Sequence, residues 1–193
     1  MTKQTVMIAL GGNSLSPKGS SGSVAEQFAY TRKTMDYLSK FITLDYNICI
    51  THGNGPQVGN ELLRMDLTND KVPPLPLGIC VANTQGQIGY MVQQTLQNKL
   101  REIDIDREVV TLVTQVIIDE NDPSITNPTK YIGPRYSKSD IDELASKLEW
   151  KIKEQEPGSW RRVVPSPMPE YIMHGKSIKA LVDRGTIVIA FGG

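Results

Sequence analysis

The sequence has only two cysteines, Cys49 and Cys80, in 193 residues. That is too few for a disulfide framework or a thiolate zinc site, and it fits a reducing compartment. There is no surplus of positive charge, because 21 Lys and Arg balance 21 Asp and Glu. The basic face of a nucleic-acid or membrane-surface binder is therefore not expected. No apolar run approaches the roughly 20 residues that a membrane span needs. Met1-Thr2-Lys3-Gln4 leads straight into a short apolar segment, without the long hydrophobic region or small-residue cleavage site of a secretory signal. The expectation is a soluble cytoplasmic protein. Two familiar phosphate-binding signatures are also missing: G-x-x-x-x-G-K followed by Ser or Thr, and G-x-G-x-x-G opening a Rossmann unit. No internal repeat or low-complexity tract occurs.

What is present is an alternation of buried-strand and amphipathic-helix patterns. Thr5 to Leu10, Asn47 to Thr51, Val109 to Ile118 and Thr186 to Phe191 are continuous apolar runs, as strands buried on both faces read. Ser23 and Glu26 form a capping box ahead of Phe28, Thr31, Met35, Leu38 and Ile42, which share one helical face. Pro56 suits the first turn of a helix that continues through Val58, Leu62 and Met65. Thr84 and Gln87 suggest a second capping box, ahead of Ile88, Met91, Thr95 and Leu100. Ile178, Leu181 and Val182 predict a last helix, with Gly185 as its left-handed terminator. Asn69 to Leu77 reads as a proline-rich surface loop. Asp119 to about Pro169 reads as an irregular excursion carrying one helix, at Ile141, Leu144 and Leu148. The order predicts an α/β fold with a largely parallel sheet and helices on both faces.

Two strand-to-helix junctions carry the chemistry. Gly11-Gly12-Asn13 follows the first strand, and glycines there let a backbone approach an anion closely enough for its amides to bind. Thr51-His52-Gly53-Asn54-Gly55-Pro56 repeats the arrangement, with the positive end of a helix dipole next in the chain. In open parallel sheets, ligands bind beyond the carboxyl ends of the strands. Each junction also has an Asn able to donate a side-chain N–H. A tight turn explains either junction alone, whereas the pair points to a phosphate or carboxylate site. Lys130, between Pro128 and Pro134, is the candidate for the completing charge, because a positioned ammonium stabilises a transferring phosphoryl group. His52 reads as a structural histidine, and Asp119, Glu120 and Asp122 as turn formers, so no metal-ligating set is expected. Arg161 and Arg162 suit either phosphate binding or a structural ion pair. Trp150 and Trp160 are expected to pack the excursion against itself.

Several segments, taken in order, closely resemble carbamate kinase, a branch of the amino acid kinase fold. They are Ala9-Leu10-Gly11-Gly12-Asn13, Thr51 to Gly59, Gln85 to Tyr90, Val113 to Val116, Asn127-Pro128-Thr129-Lys130 with Ile132-Gly133-Pro134, and Arg161 to Pro167. The N-P-T-K-x-I-G-P and R-R-V-V-P-S-P stretches are specific to this branch. The resemblance implies a three-layer αβα sandwich in which residues 1–193 form the N-terminal carbamoyl-phosphate domain, with a protruding subdomain at about 130–165. It implies reversible transfer between carbamoyl phosphate and ADP, giving ATP and carbamate, in arginine catabolism by the arginine deiminase pathway. It also implies Mg²⁺ accompanying the nucleotide, and a homodimer. Gly11, Gly12, Asn13, Gly53, Asn54, Gly55 and Lys130 are the residues expected to bind the phosphoryl group or carbamate, with Lys130 catalytic. Members of the branch continue beyond the strand at Ile187 to Phe191 into a C-terminal nucleotide domain. This chain, which stops at Gly193, is thus expected to be inactive alone. The competing readings are another kinase of the fold, acting on acetylglutamate, glutamate or uridylate, and a non-catalytic carbamoyl-phosphate-binding or dimerisation module.

Overall fold

The computed structural model describes residues 3–17 and 19–193, and of Asn13 the backbone only. In chain order the elements are β1 (Thr5–Leu10), α1 (Gly12–Leu15), α2 (Val24–Thr43), β2 (Asn47–His52), α3 (Gly55–Thr68), α4 (Leu77–Glu102), β3 (Val109–Thr111) and β4 (Val116–Ile118). There follow α5 (Pro123–Thr126), β5 (Lys130–Tyr136), α6 (Lys138–Leu148), β6 (Ile152–Glu156), β7 (Ser159–Val164), β8 (Pro169–Ile172), α7 (Gly175–Asp183) and β9 (Ile187–Ile189). They divide into two compact units, Met1–Asn54 with Ala82–Gln115 and Met173–Gly193, and Gly55–Val81 with Val116–Ile172.

The first unit is an αβα sandwich on a four-stranded parallel sheet of order β1-β2-β9-β3. Alternating side chains of the central strands supply its two cores, because successive residues of a strand point to opposite faces. Ile48, Ile50, Ile187 and Ile189 meet Met35, Leu38 and Ile42 of α2 and Ile88, Val92 and Leu96 of α4. Cys49, Val188 and Ala190 meet Ile178 and Val182 of α7. Each fully buried Ile or Leu contributes roughly 1.5–3 kcal/mol. Ser23 caps α2 by accepting the Glu26 N–H at 3.3 Å. The reciprocal half of the box is not made, since Glu26 Oε2 accepts the Ser21 hydroxyl instead at 2.6 Å. Gly185 closes α7 at φ 92°, as its position predicts.

Two sequence expectations are corrected within this unit. Thr84 caps nothing: α4 begins at Leu77, about two turns earlier, and Thr84 is a buried interior residue. The apolar run from Val109 to Ile118 is not one strand. Its β3 part ends at Thr111, and β4 belongs to a separate antiparallel pair with β8. The break has a local cause. The Gln85 carboxamide donates to the Thr114 carbonyl (3.1 Å) and accepts the Thr114 N–H (2.8 Å), so a side chain takes the partners a neighbouring strand would have used.

In the second unit, the stretch expected to be irregular holds a three-stranded antiparallel sheet of order β5-β7-β6. Its core joins Ile132 and Val164 to Val58, Leu62 and Cys80. Helix α3 lies directly on β5, because neither backbone carries a Cβ at the crossing. An added Cβ on Gly59 would lie 2.0 Å from the Gly133 nitrogen, and Gly133 itself has φ 70°. Trp150 is buried, and its indole N–H donates to Asp66 at 2.7 Å. Asp66 also pairs with Arg162 at 2.8 Å, and the Arg162 guanidinium lies over the Trp150 ring.

Candidate functional site

In the first unit, β1 and β2 run parallel and in register, with Leu10 opposite His52. The glycine loops therefore leave the sheet side by side, tied by a Gly53 N–H donated to the Leu10 carbonyl at 3.1 Å. Gly11 precedes the single turn α1 with φ −73° and ψ 168°, a conformation open to any residue. A Cβ at Gly11, Gly12 or Gly53 would meet nothing within 4 Å, and none of these glycines has a positive φ. Neither backbone strain nor packing within the chain accounts for the missing side chains. The space beside these glycines is open to close approach by a ligand. The Asn13 side chain lies outside the described residues.

Asn54 also serves the fold. It is buried, and its Nδ2 donates to Thr84 Oγ1 at 2.9 Å, so the carboxamide fastens the loop to α4. His52 is buried below the same loop with Nδ1 3.3 Å from the Gly53 carbonyl. Burial pulls its pKa below the usual imidazole value, and the nearby carbonyl opposes the shift. A neutral structural histidine fits both facts.

The end of β9 meets this region as well. Thr51 Oγ1 donates to the Phe191 carbonyl at 2.8 Å, the Phe191 N–H donates to Thr114 Oγ1 at 3.1 Å, and the Gly193 N–H reaches the His52 carbonyl at 3.3 Å. Phe191 has φ 58°, an uncommon conformation for a residue with a Cβ. Gly192 has no room for a side chain, since an added Cβ would lie 2.4 Å from the His52 ring. Thr84, Gln85 and Thr114, all buried, went unrecognised in the sequence as site residues. Their signal was polar side chains at buried positions, on the core-facing side of α4 and just beyond β3. The cavity of about 750 Å³ lined by Lys3, Asp45, Arg107 and Arg184 lies at the opposite, amino-terminal ends of these strands. There Arg107 donates to the Gly185 and Tyr46 carbonyls, which is a structural clamp.

Gly55 and Lys130 fall in the second unit. Gly55 opens α3, whose first-turn amides and dipole favour an anion. An added Cβ there would be 3.8 Å from the Tyr131 carbonyl, so the strand containing Lys130 passes the start of α3. Lys130 is the first residue of β5 and pairs with Val164 of β7, so the strand ladder fixes its backbone, whereas the sequence suggests a proline-bracketed loop. Its side chain is exposed, and among the described residues it has no hydrogen-bond or ion-pair partner. Arg161 is committed elsewhere, donating to the Gly133 carbonyl at 2.7 Å, as Arg162 is to Asp66. Asp122 caps α5 by accepting the Ser124 N–H at 2.7 Å. Among the described residues no group of three or more His, Cys, Asp or Glu is placed to hold a metal ion. None of the described helices is long and apolar enough to cross a membrane.

No protein-family model matches the chain. Carbamate kinase of Pyrococcus furiosus is 47% identical over 190 residues, covering 97% of this chain and 60% of that protein. The carbamate kinase-like protein YahI of Escherichia coli is 42% identical over 194 residues, with 99% and 61% covered. Among solved structures, carbamate kinase from Giardia lamblia bound to citric acid superposes with a TM-score of 0.96 at 34% identity, covering 100% of this chain and 63% of that one. The same Giardia enzyme bound to AMP-PNP gives 0.84. The chain spans about three fifths of the length of the curated relatives it matches.

Proposed function

This chain is a relative of the carbamate kinases over nearly all of its length, and from that premise we propose that it supplies the carbamoyl-phosphate side of a carbamate kinase. The reaction is ADP + carbamoyl phosphate ⇌ ATP + carbamate, by direct in-line transfer of the phosphoryl group. The observation that carries this reading is the pair of in-register strand ends whose glycine loops face open space without structural need. Amides of Gly11, Gly12 and Gly53 bind anionic oxygens, and Lys130 neutralises charge developing on the phosphoryl oxygens. No general base is required, because carbamate is already an anion. Mg²⁺ enters as part of the nucleotide substrate. The nucleotide pocket belongs to sequence that the longer relatives possess beyond the shared region. Cytoplasmic arginine catabolism and a homodimer complete the proposal.

Titration of the chain with carbamoyl phosphate, followed by phosphorus NMR, tests this reading. Saturable binding that is lost in Lys130→Ala is expected, and absence of binding by the unaltered chain refutes it. Competition with acetylglutamate, glutamate and uridylate distinguishes the other kinases of the fold.

A further inference from the structure

Two buried polar residues of α4, Thr84 and Gln85, hydrogen-bond to loops of the sheet. Thr84 and Gln85 are 1% and 6% exposed on a helix that also turns Ile88, Val92 and Leu96 inward. Burying a hydroxyl and a carboxamide is unfavourable unless each is hydrogen-bonded, and bonds to particular partners specify a geometry that apolar packing leaves loose.

Their partners are the loops that follow neighbouring strands. Thr84 Oγ1 accepts the Asn54 carboxamide at 2.9 Å, fixing the loop after β2. Gln85 brackets Thr114 through both its N–H and its carbonyl, and Gln85 Oε1 also accepts the Thr114 hydroxyl at 3.3 Å. With its proton so directed, Thr114 Oγ1 offers a lone pair to the Phe191 N–H at 3.1 Å. That bond, with the one from Thr51 to the Phe191 carbonyl, holds Phe191 in its left-handed conformation and turns Gly192 against His52. Successive residues of one helix thus set two loops at the carboxyl edge of the sheet.

We infer that Thr84 and Gln85 are positioning residues that hold the loops after β2 and β9 in the conformation that receives the phosphoryl substrate, an inference whose substrate rests on the carbamate kinase reading. Neither side chain touches the reacting atoms. Each acts through another residue, Thr84 through Asn54 and Gln85 through Thr114.

Amide hydrogen exchange on the chain without ligand, in Thr84→Val, Thr84→Ser and Gln85→Leu, tests the positioning directly. Losing one buried hydrogen bond should speed exchange about tenfold in the released loop. The expected result is faster exchange at residues 53–54 in Thr84→Val and at 191–193 in Gln85→Leu, with Ile48 and Ile50 of β2 unchanged. Thr84→Ser, which keeps the hydroxyl, should restore the original rate. In carbamoyl phosphate titrations the dissociation constant should rise about tenfold in Thr84→Val and return in Thr84→Ser. Unchanged loop exchange in both variants overturns the inference, as does uniform acceleration through the whole sheet. If the unaltered chain binds no carbamoyl phosphate, the functional reading fails, while the exchange measurement still decides the positioning.

Discussion

Replacing Gly59 with alanine tests the close approach of α3 to β5. The added Cβ would sit 2.0 Å from the Gly133 nitrogen, 2.1 Å from its Cα and 3.1 Å from the Ile132 carbonyl carbon. Non-bonded heavy atoms rest about 3.5–4.0 Å apart, so α3 and β5 must separate by roughly 1.5 Å. All three obstructing atoms are backbone, and β5 is held by its ladder with β7, so no side chain can swing aside. Overpacking of this kind costs about 1–3 kcal/mol, and the rigidity of the neighbours places it at the upper end. Helix propensity acts the other way, since alanine is favoured over glycine by about 1 kcal/mol inside a helix. The clash wins, leaving a net loss of about 1–2 kcal/mol and a melting temperature lower by about 2–8 °C. Gly86 provides the control: it is also helical, but a Cβ there meets nothing within 4 Å. Gly86→Ala should therefore stabilise by up to about 1 kcal/mol. Urea denaturation of both variants reads the two signs in one experiment. Gly59→Ala with a midpoint at or above that of the unaltered chain would refute the close packing of α3 on β5.

Three further outcomes follow from the site. In an enzyme extended to include the nucleotide part of the longer relatives, Lys130→Met should lower phosphoryl transfer by about a hundred- to a thousandfold while shifting unfolding stability by less than about 0.5 kcal/mol, because the side chain is exposed and unpartnered; steady-state kinetics beside thermal melts separate the two. Gly12→Ala should fold normally, since its Cβ enters open space, yet weaken carbamoyl phosphate binding in the same NMR titration; unimpaired binding would remove Gly12 from the site. His52, whose pKa burial depresses, takes up a proton more readily unfolded than folded, so its contribution is present above about pH 6.5 and lost as pH falls through the folded value. Urea midpoints should therefore decline from neutral pH toward pH ~5, and His52→Gln should flatten that slope.

Much of the first unit was legible because its signals are local and strong. The apolar runs of β1, β2 and β9 announce strands, although β1 is not buried on both faces as its run suggests, since it lies at the end of the sheet with Met7 63% exposed; Ser23 and Gly185 mark helix ends by backbone chemistry that works at short range. The glycine loops were legible for the same reason. The sheet of the second unit was not: Ile152–Glu156 is charged and largely exposed, and Ser159–Val164 sets Arg161 and Arg162 beside its two buried valines, so no hydrophobic period announces either strand. Thr84 misled because a Thr-x-x-Gln spacing resembles a cap, whereas its real partner, Asn54, is thirty residues away in sequence. The bond that Asn54 makes to Thr84 is equally silent in the sequence. Long-range hydrogen bonds of this kind leave no periodic trace.

The strand order β1-β2-β9-β3 also bears on how the protein is made. Among the described residues of this sheet β3 pairs only with β9, and β9 is synthesised after β1, β2 and β3. On a ribosome extending the chain at about 5–20 residues per second, β2 waits seconds with one edge unpaired, and β3 waits without its strand partner. The sandwich cannot close by growing outward from its N-terminus; it closes when Ile187–Ile189 inserts between two segments already made. Such an interval favours chaperone capture of the nascent chain, and slow-translating codons upstream of β9 should increase its aggregation.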